Sequence, residues 1–125
     1  MEKEIAVLDA DEKQCQELCL ILEEMGYRTT SMHSIKNLEK YIQQGSCLAV
    51  FLDIDTVSID NRVIRNLTIR NPEVYFFCLS KHRYNPELKE AICYHIYACL
   101  NKPVDTDELL YWLRSIDEDG ADPKN

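Results

Sequence analysis

Four apolar runs in this chain end on residues capable of chemistry. Asp9 and Asp11 follow Ile5–Leu8, Asp53 and Asp55 follow Cys47–Leu52, Ser80 closes Val74–Leu79, and Lys102 follows Tyr97–Leu100. Several carboxylates facing one lysine repel each other unless a cation or protons intervene, because like charges a few ångströms apart raise carboxylate pKa values. A hard divalent ion, usually Mg²⁺, resolves this, held by one or two carboxylates with waters and a phosphate oxygen. In such a site Asp53 can attack phosphorus without a base to activate it. Lys102 would pair with the phosphoryl charge, and the Ser80 hydroxyl would hydrogen-bond a phosphoryl oxygen.

To converge, these residues need one edge of one sheet. The run C-L-A-V-F-L at Cys47–Leu52 is apolar throughout, the pattern of a strand buried on both faces of a parallel sheet. Helical periods separate the runs. Cys15, Leu18, Cys19, Leu22 and Met25 repeat at i, i+3, i+4 and i+7 with Gly26 as a stop, and Asp11 with Gln14 has the spacing of a capping box. Tyr27–Met32, with polar Arg28, Thr29 and Thr30, reads as an edge strand. Ser34 is the expected cap of a helix carrying Ile35, Leu38 and Ile42 and ended by Gly45. A third helix is expected over 59–70 with Val63 and Leu67 inward, and a fourth opens at Asn85-Pro86 with Leu88, Ile92 and Ile96 as its stripe. Asp105 and Glu108 box the start of a last helix that turns Leu109, Trp112, Leu113 and Ile116 to the core. Five such alternations predict one doubly wound α/β domain, a (βα)5 unit over 1–117 with helices on both faces. Residues 118–125 read as a polar tail or the start of a linker.

The composition narrows the partners. The 125 residues carry 22 acidic against 14 basic side chains, a formal charge of -8, which argues against nucleic acid or an anionic membrane as a direct partner. A basic protein surface suits it better. The six cysteines, at 15, 19, 47, 78, 93 and 99, form no C-x-x-C and no paired Cys/His spacing, so they are expected as reduced, mostly buried thiols of a cytoplasmic protein. No apolar run approaches membrane-spanning length.

In their order, the acids after strand one, Leu52-Asp53, Ser80 and Lys102-Pro103 resemble the receiver domain of response regulators, the chemotaxis-regulator-like domain of two-component signalling. The likeness spans Ile5 to about Ile116. It implies a five-stranded parallel sheet of order 2-1-3-4-5, a receiver domain over 1–117, and a signalling switch rather than an enzyme. By position it implies Asp53 as phosphoacceptor, Ser80 as switch hydroxyl and Lys102 as phosphate contact. It further implies Mg²⁺ held by Asp9, Asp53 and the backbone carbonyl of Asp55, and a cis peptide between Lys102 and Pro103. The partners it implies are a sensor histidine kinase or phosphotransfer protein and an output domain or partner protein, read through the fourth helix, fifth strand and last helix. It also leaves room for a homodimer.

Several positions depart from that pattern. Ala10 stands where the family places its principal carboxylate ligand, so Mg²⁺ binding should be weakened, and Asp11 is the next candidate only if it gives up its cap. Lys81 replaces a small residue, and its cation either covers Asp53 in place of metal charge or extends into solvent. Val57 and Asn61 replace a proline and a glycine, and Cys99 stands at an aromatic switch position, with Tyr97 on the same face by period two.

Two rival readings follow. The departures favour a receiver-fold protein that takes no phosphoryl group and serves as a protein-binding module. D-I-D-T-V at Asp53–Val57 also resembles the first motif of haloacid-dehalogenase-like phosphatases. That family normally places the motif after its first strand and needs a later acidic loop, for which only Asp117 and Asp119 remain, after a helix.

Overall fold

The computed structural model describes residues 4–81 and 96–121. Five strands, β1 (Glu4–Leu8), β2 (Arg28–Met32), β3 (Cys47–Asp53), β4 (Tyr75–Ser80) and β5 (Ala98–Asn101), form one parallel sheet of order β2-β1-β3-β4-β5. This is the order and class expected. The described helices are α1 (Glu12–Glu24), α2 (Leu38–Ile42), α3 (Asn61–Arg70) and α4 (Thr106–Ala121). The expected helix from Asn85, with Leu88 and Ile92, lies outside the described residues, as do His82, Cys93 and His95.

Alternation within each strand divides the core into two layers. Ile5, Val7, Ala49, Phe51, Phe77, Leu79 and Leu100 face α1 and α4, where Cys15, Leu18, Cys19, Leu22, Leu109, Leu113 and Ile116 close over them. Ala6, Leu8, Val50, Leu52 and Phe76 face Leu38, Ile42, Ile64 and Leu67 of α2 and α3. Burial on both faces is why the strands read as unbroken apolar runs. Phe51 and Phe77 are opposite in register, and their rings stack with centroids 4.7 Å apart.

Helix boundaries differ locally from expectation. Ser34 stands at an N-cap but makes no side-chain capping bond; Ile35–Asn37 forms a 3₁₀ turn before α2 begins at Leu38. Helix α3 starts at Asn61 rather than Ile59, because Asp60 accepts from Val63 N at 2.9 Å, and Ile64 with Leu67 is its buried stripe. Gly26 and Gly45 adopt φ of +98° and +95°, the left-handed turns that only glycine reaches without strain, and so end their helices as expected. Asp105 caps α4 through the N–H groups of Asp107 and Glu108. Beyond the expected tail boundary at 118, α4 continues to Ala121, so the polar segment begins as helix. Trp112, expected in the core, is half-buried and packs edge-on against Tyr97 and Tyr111.

Candidate functional site

The strand order reverses between β1 and β3, since β2 lies outside β1 and β4 outside β3. Open α/β sheets form their ligand crevice at the carboxyl ends of such strands. Asp9 follows β1 and Asp53 ends β3; both are buried, and they meet there.

Asp53 is 0 % exposed, yet its carboxylate is fully served. Its Oδ1 accepts from the N–H groups of Asp55 (3.0 Å) and Thr56 (3.1 Å) and faces the Thr56 hydroxyl at 3.3 Å. Its Oδ2 accepts from Lys102 Nζ at 2.7 Å and from Gln14 Nε2 at 2.6 Å. The same Gln14 nitrogen lies 2.6 Å from Asp9 Oδ2. Asp9 Oδ1 in turn accepts from the Thr56 hydroxyl (2.9 Å) and from Asp11 N–H (2.8 Å). Thr56 Oγ1 receives the Ala10 N–H at 3.0 Å, and His33 Nδ1 lies 2.9 Å from the Asp9 carbonyl.

Asp55 turns the other way. Its carboxylate accepts from Ser80 Oγ (2.9 Å) and Lys81 N–H (2.8 Å), and Lys102 Nζ lies 3.1 Å away. Burial opposes ionisation of Asp55, but the Lys81 N–H, Lys102 and Ser80 outweigh it and hold the carboxyl below its ordinary value. Burial likewise opposes the charge on Lys102, and its bonds to Asp53 and Asp55 outweigh that, raising its pKa.

The structure thus gathers Asp9, Asp53, Asp55, Ser80 and Lys102 as expected, and the Lys102–Pro103 peptide is cis. It keeps Asp11 out: that carboxylate accepts Gln14 N–H at 3.1 Å and serves as the cap of α1. Lys81 is exposed, and what reaches the cluster is its backbone N–H. Gln14 and Thr56 are the members the sequence reading missed. The spacing of Gln14 suggests a capping box, whereas its side chain points back over the strand ends to Asp9 and Asp53. Of the residues the phosphatase reading needs, Asp117 receives the Tyr27 hydroxyl beside the opposite, amino edge of the sheet.

A Mg²⁺ ion bridging Asp9 and Asp53 needs oxygens at about 2.1 Å. In this arrangement the Gln14 amide bonds both carboxylates, Ala10 offers no side-chain oxygen, and the Asp55 carboxylate is engaged elsewhere. Among the described residues no three His, Cys, Asp or Glu side chains are arranged to hold a metal. The residues as placed do not fit the ion.

A doubly wound sheet with buried aspartates, a lysine and a serine at its carboxyl edge carries these groups where open α/β sheets bind their ligands. A family model for the response regulator receiver domain matches residues 5–114, and the chain belongs to that family. Receiver domains interact with histidine kinases and output domains, typically bind Mg²⁺ at an acidic pocket, and are generally not enzymes. No curated protein sequence matches the chain. Among solved structures it is similar to a CheY-like response regulator receiver domain protein from Methanospirillum hungatei JF-1, with 17 % identity, 97 % of this chain and 98 % of that one covered, and a TM-score of 0.83. It is also similar to the beryllofluoride-activated NtrC4 receiver domain dimer (23 %, 93 % and 97 %, 0.80). The signal receiver domain of an HD domain-containing protein from Pseudomonas fluorescens Pf-5 is a third (21 %, 92 % and 86 %, 0.80). At these identities the structures establish the fold. Among the described residues no helix is long and apolar enough to cross a membrane, and Cys15, Cys19, Cys47, Cys78 and Cys99 carry free thiols.

Proposed function

We propose that this chain is a cytoplasmic phosphorelay switch in which Asp53 accepts a phosphoryl group from a phosphohistidine of a sensor kinase or phosphotransfer protein. The supporting observation is the Lys102 ammonium, 2.7 Å from Asp53 and 3.1 Å from Asp55 in a site where its side chain is only 7 % exposed. It sets a buried ammonium against a buried carboxylate and supplies positive charge where phosphoryl oxygens would sit. Asp53 oxygen forms the new O–P bond, the donor's N–P bond breaks, and the imidazole keeps the electron pair and takes a proton. Ser80 donates to Asp55 in this arrangement. Turning that hydroxyl to a phosphoryl oxygen would release Asp55 and bias β4, β5 and the elements packed on them toward a second arrangement, read by an output domain, a partner protein or a second copy of the chain. Mg²⁺ at this site has to compete with Gln14 and lacks a carboxylate at position 10, so its binding is weak.

One observation favours a second reading. Asp53 is inaccessible and already accepts from Gln14, Lys102 and the N–H groups of Asp55 and Thr56, as suits a module that binds partners without taking phosphate. Intact mass after treatment with a small acyl phosphate and Mg²⁺ decides between them. The phosphorelay reading expects a phosphoryl increment on the wild type and none on Asp53→Ala; no increment on either leaves the binding module.

A further inference from the structure

Among the described residues, Asp9, Asp53 and Asp55 face one cation, Lys102, which lies 2.7 Å from Asp53 and 3.1 Å from Asp55. Among those residues the Asp9–Asp53 pair is therefore two buried carboxylates with no positive charge between them except what Asp53 shares. Gln14 supplies the missing compensation. Between two carboxylate oxygens only the amide nitrogen, not the amide oxygen, can face inward, and its two hydrogens match the two acceptors. Both distances are short, as in charge-assisted bonds. The placement follows from the helix: side chains lean toward the helix N-terminus, so a residue in the first turn of α1 reaches back over the end of β1.

We infer that Gln14 is a built-in substitute for the divalent cation: its carboxamide bridges Asp9 and Asp53, holds the resting site closed to metal, and must swing away before an ion can bridge them. As a cation substitute this rests on geometry alone; as regulation of phosphotransfer it rests on the phosphorelay reading. Gln14 also lines a groove of about 500 Å³ with Leu18, Ile21, Lys102, Pro103 and Val104. That gives the side chain somewhere to go. Asp9, Gln14 and Lys102 line the groove while Asp53, which both Gln14 and Lys102 bond, does not, so the amide that excludes metal also stands between the groove and that carboxylate.

The test is metal affinity, which needs no phosphorylation. Mn²⁺, as a probe for Mg²⁺, is titrated calorimetrically into the wild type, Gln14→Ala, Gln14→Leu and Ala10→Asp/Gln14→Ala. Removing a competitor that bonds both carboxylates should tighten binding at least about tenfold, the scale on which groups around a metal act. The leucine variant keeps the bulk without the donors and guards against loss of packing in the alanine variant. The double variant, with a carboxylate restored at position 10, should bind tightest. Equal affinity in wild type and both single variants overturns the inference, as does micromolar binding by the wild type. If the single variants gain metal while the wild type takes no phosphoryl group, the substitute stands and the phosphorelay reading falls.

Discussion

Asp53 and Asp55 stand two residues apart, yet the site divides between them into two halves held by different means. On the α1 side, Asp9 is held among the described residues by uncharged donors, the Gln14 amide, the Thr56 hydroxyl and a backbone N–H, and Asp53 adds the Lys102 cation at 2.7 Å to donors of the same neutral kind. On the β4–β5 side, Asp55 is compensated by the Lys102 cation together with Ser80 and the Lys81 N–H. Neutral donors are individually replaceable. A buried cation is not, because its removal strands the charge it faced. On the proposed readings, the first half would exchange its occupant and the second would hold position while the Ser80 hydroxyl changes partner.

The largest expected effect tests that division directly. Lys102→Met should lose about 3–5 kcal/mol of stability, since it leaves the buried Asp53 carboxylate without its counter-ion. Gln14→Ala should lose less, about 1–3 kcal/mol, as befits hydrogen bonds to charged acceptors. Urea unfolding of both variants at neutral pH gives the comparison. A larger loss for Gln14→Ala would mean that the amide, not the ammonium, is the keystone of the cluster.

Acid titration sharpens the second half. Asp55 has a lowered pKa in the folded protein, despite burial, because of the Lys81 N–H, Lys102 and Ser80. A carboxyl of that kind contributes stability that is present above its unfolded value of about 3.9 and lost as pH falls through the folded value. Asp55→Asn removes that contribution. The stability difference between wild type and variant should shrink as pH falls through the carboxylate range; parallel curves would show that Asp55 is not held in its charged form.

The sheet was legible in the sequence because each strand is buried on both faces and ends in polar residues, so apolar runs marked both the strands and their carboxyl edge. Asp9, Asp53, Ser80 and Lys102 were legible for the same reason. What escaped were residues whose role depends on side-chain direction. Gln14 fits a capping box by spacing, and the backbone part of that reading holds, since Asp11 accepts its N–H. Its side chain was free for other use. The signal that could have found it is a donor in the first turn of a helix that follows an acid-ended strand. Thr56 needed the fold of the loop after β3 to show that its hydroxyl sits between two aspartates. Ser34 is the converse: a capping residue by type, in a chain that enters α2 through a 3₁₀ turn and leaves its side chain out of the cap.

Ser80→Ala is expected to disturb the resting protein least. Its hydroxyl gives one hydrogen bond to Asp55, which keeps the Lys81 N–H and Lys102, so the loss should be about 0.5–1.5 kcal/mol. The consequence for switching should be larger than the consequence for stability. On the proposed phosphorelay reading, a phosphoryl group can bias the domain only through contacts that differ between two arrangements, and the Ser80 hydroxyl is the contact we propose to differ. The variant should therefore take up the phosphoryl mass increment as the wild type does. It should lose the change in amide hydrogen exchange that the phosphorelay reading expects in β4 and β5, and Ser80→Thr, which keeps a hydroxyl, should retain it. An unchanged exchange response in Ser80→Ala would move the switch out of the β4–β5 half and into the Gln14 half, where displacement of the amide would be the only local event left to couple.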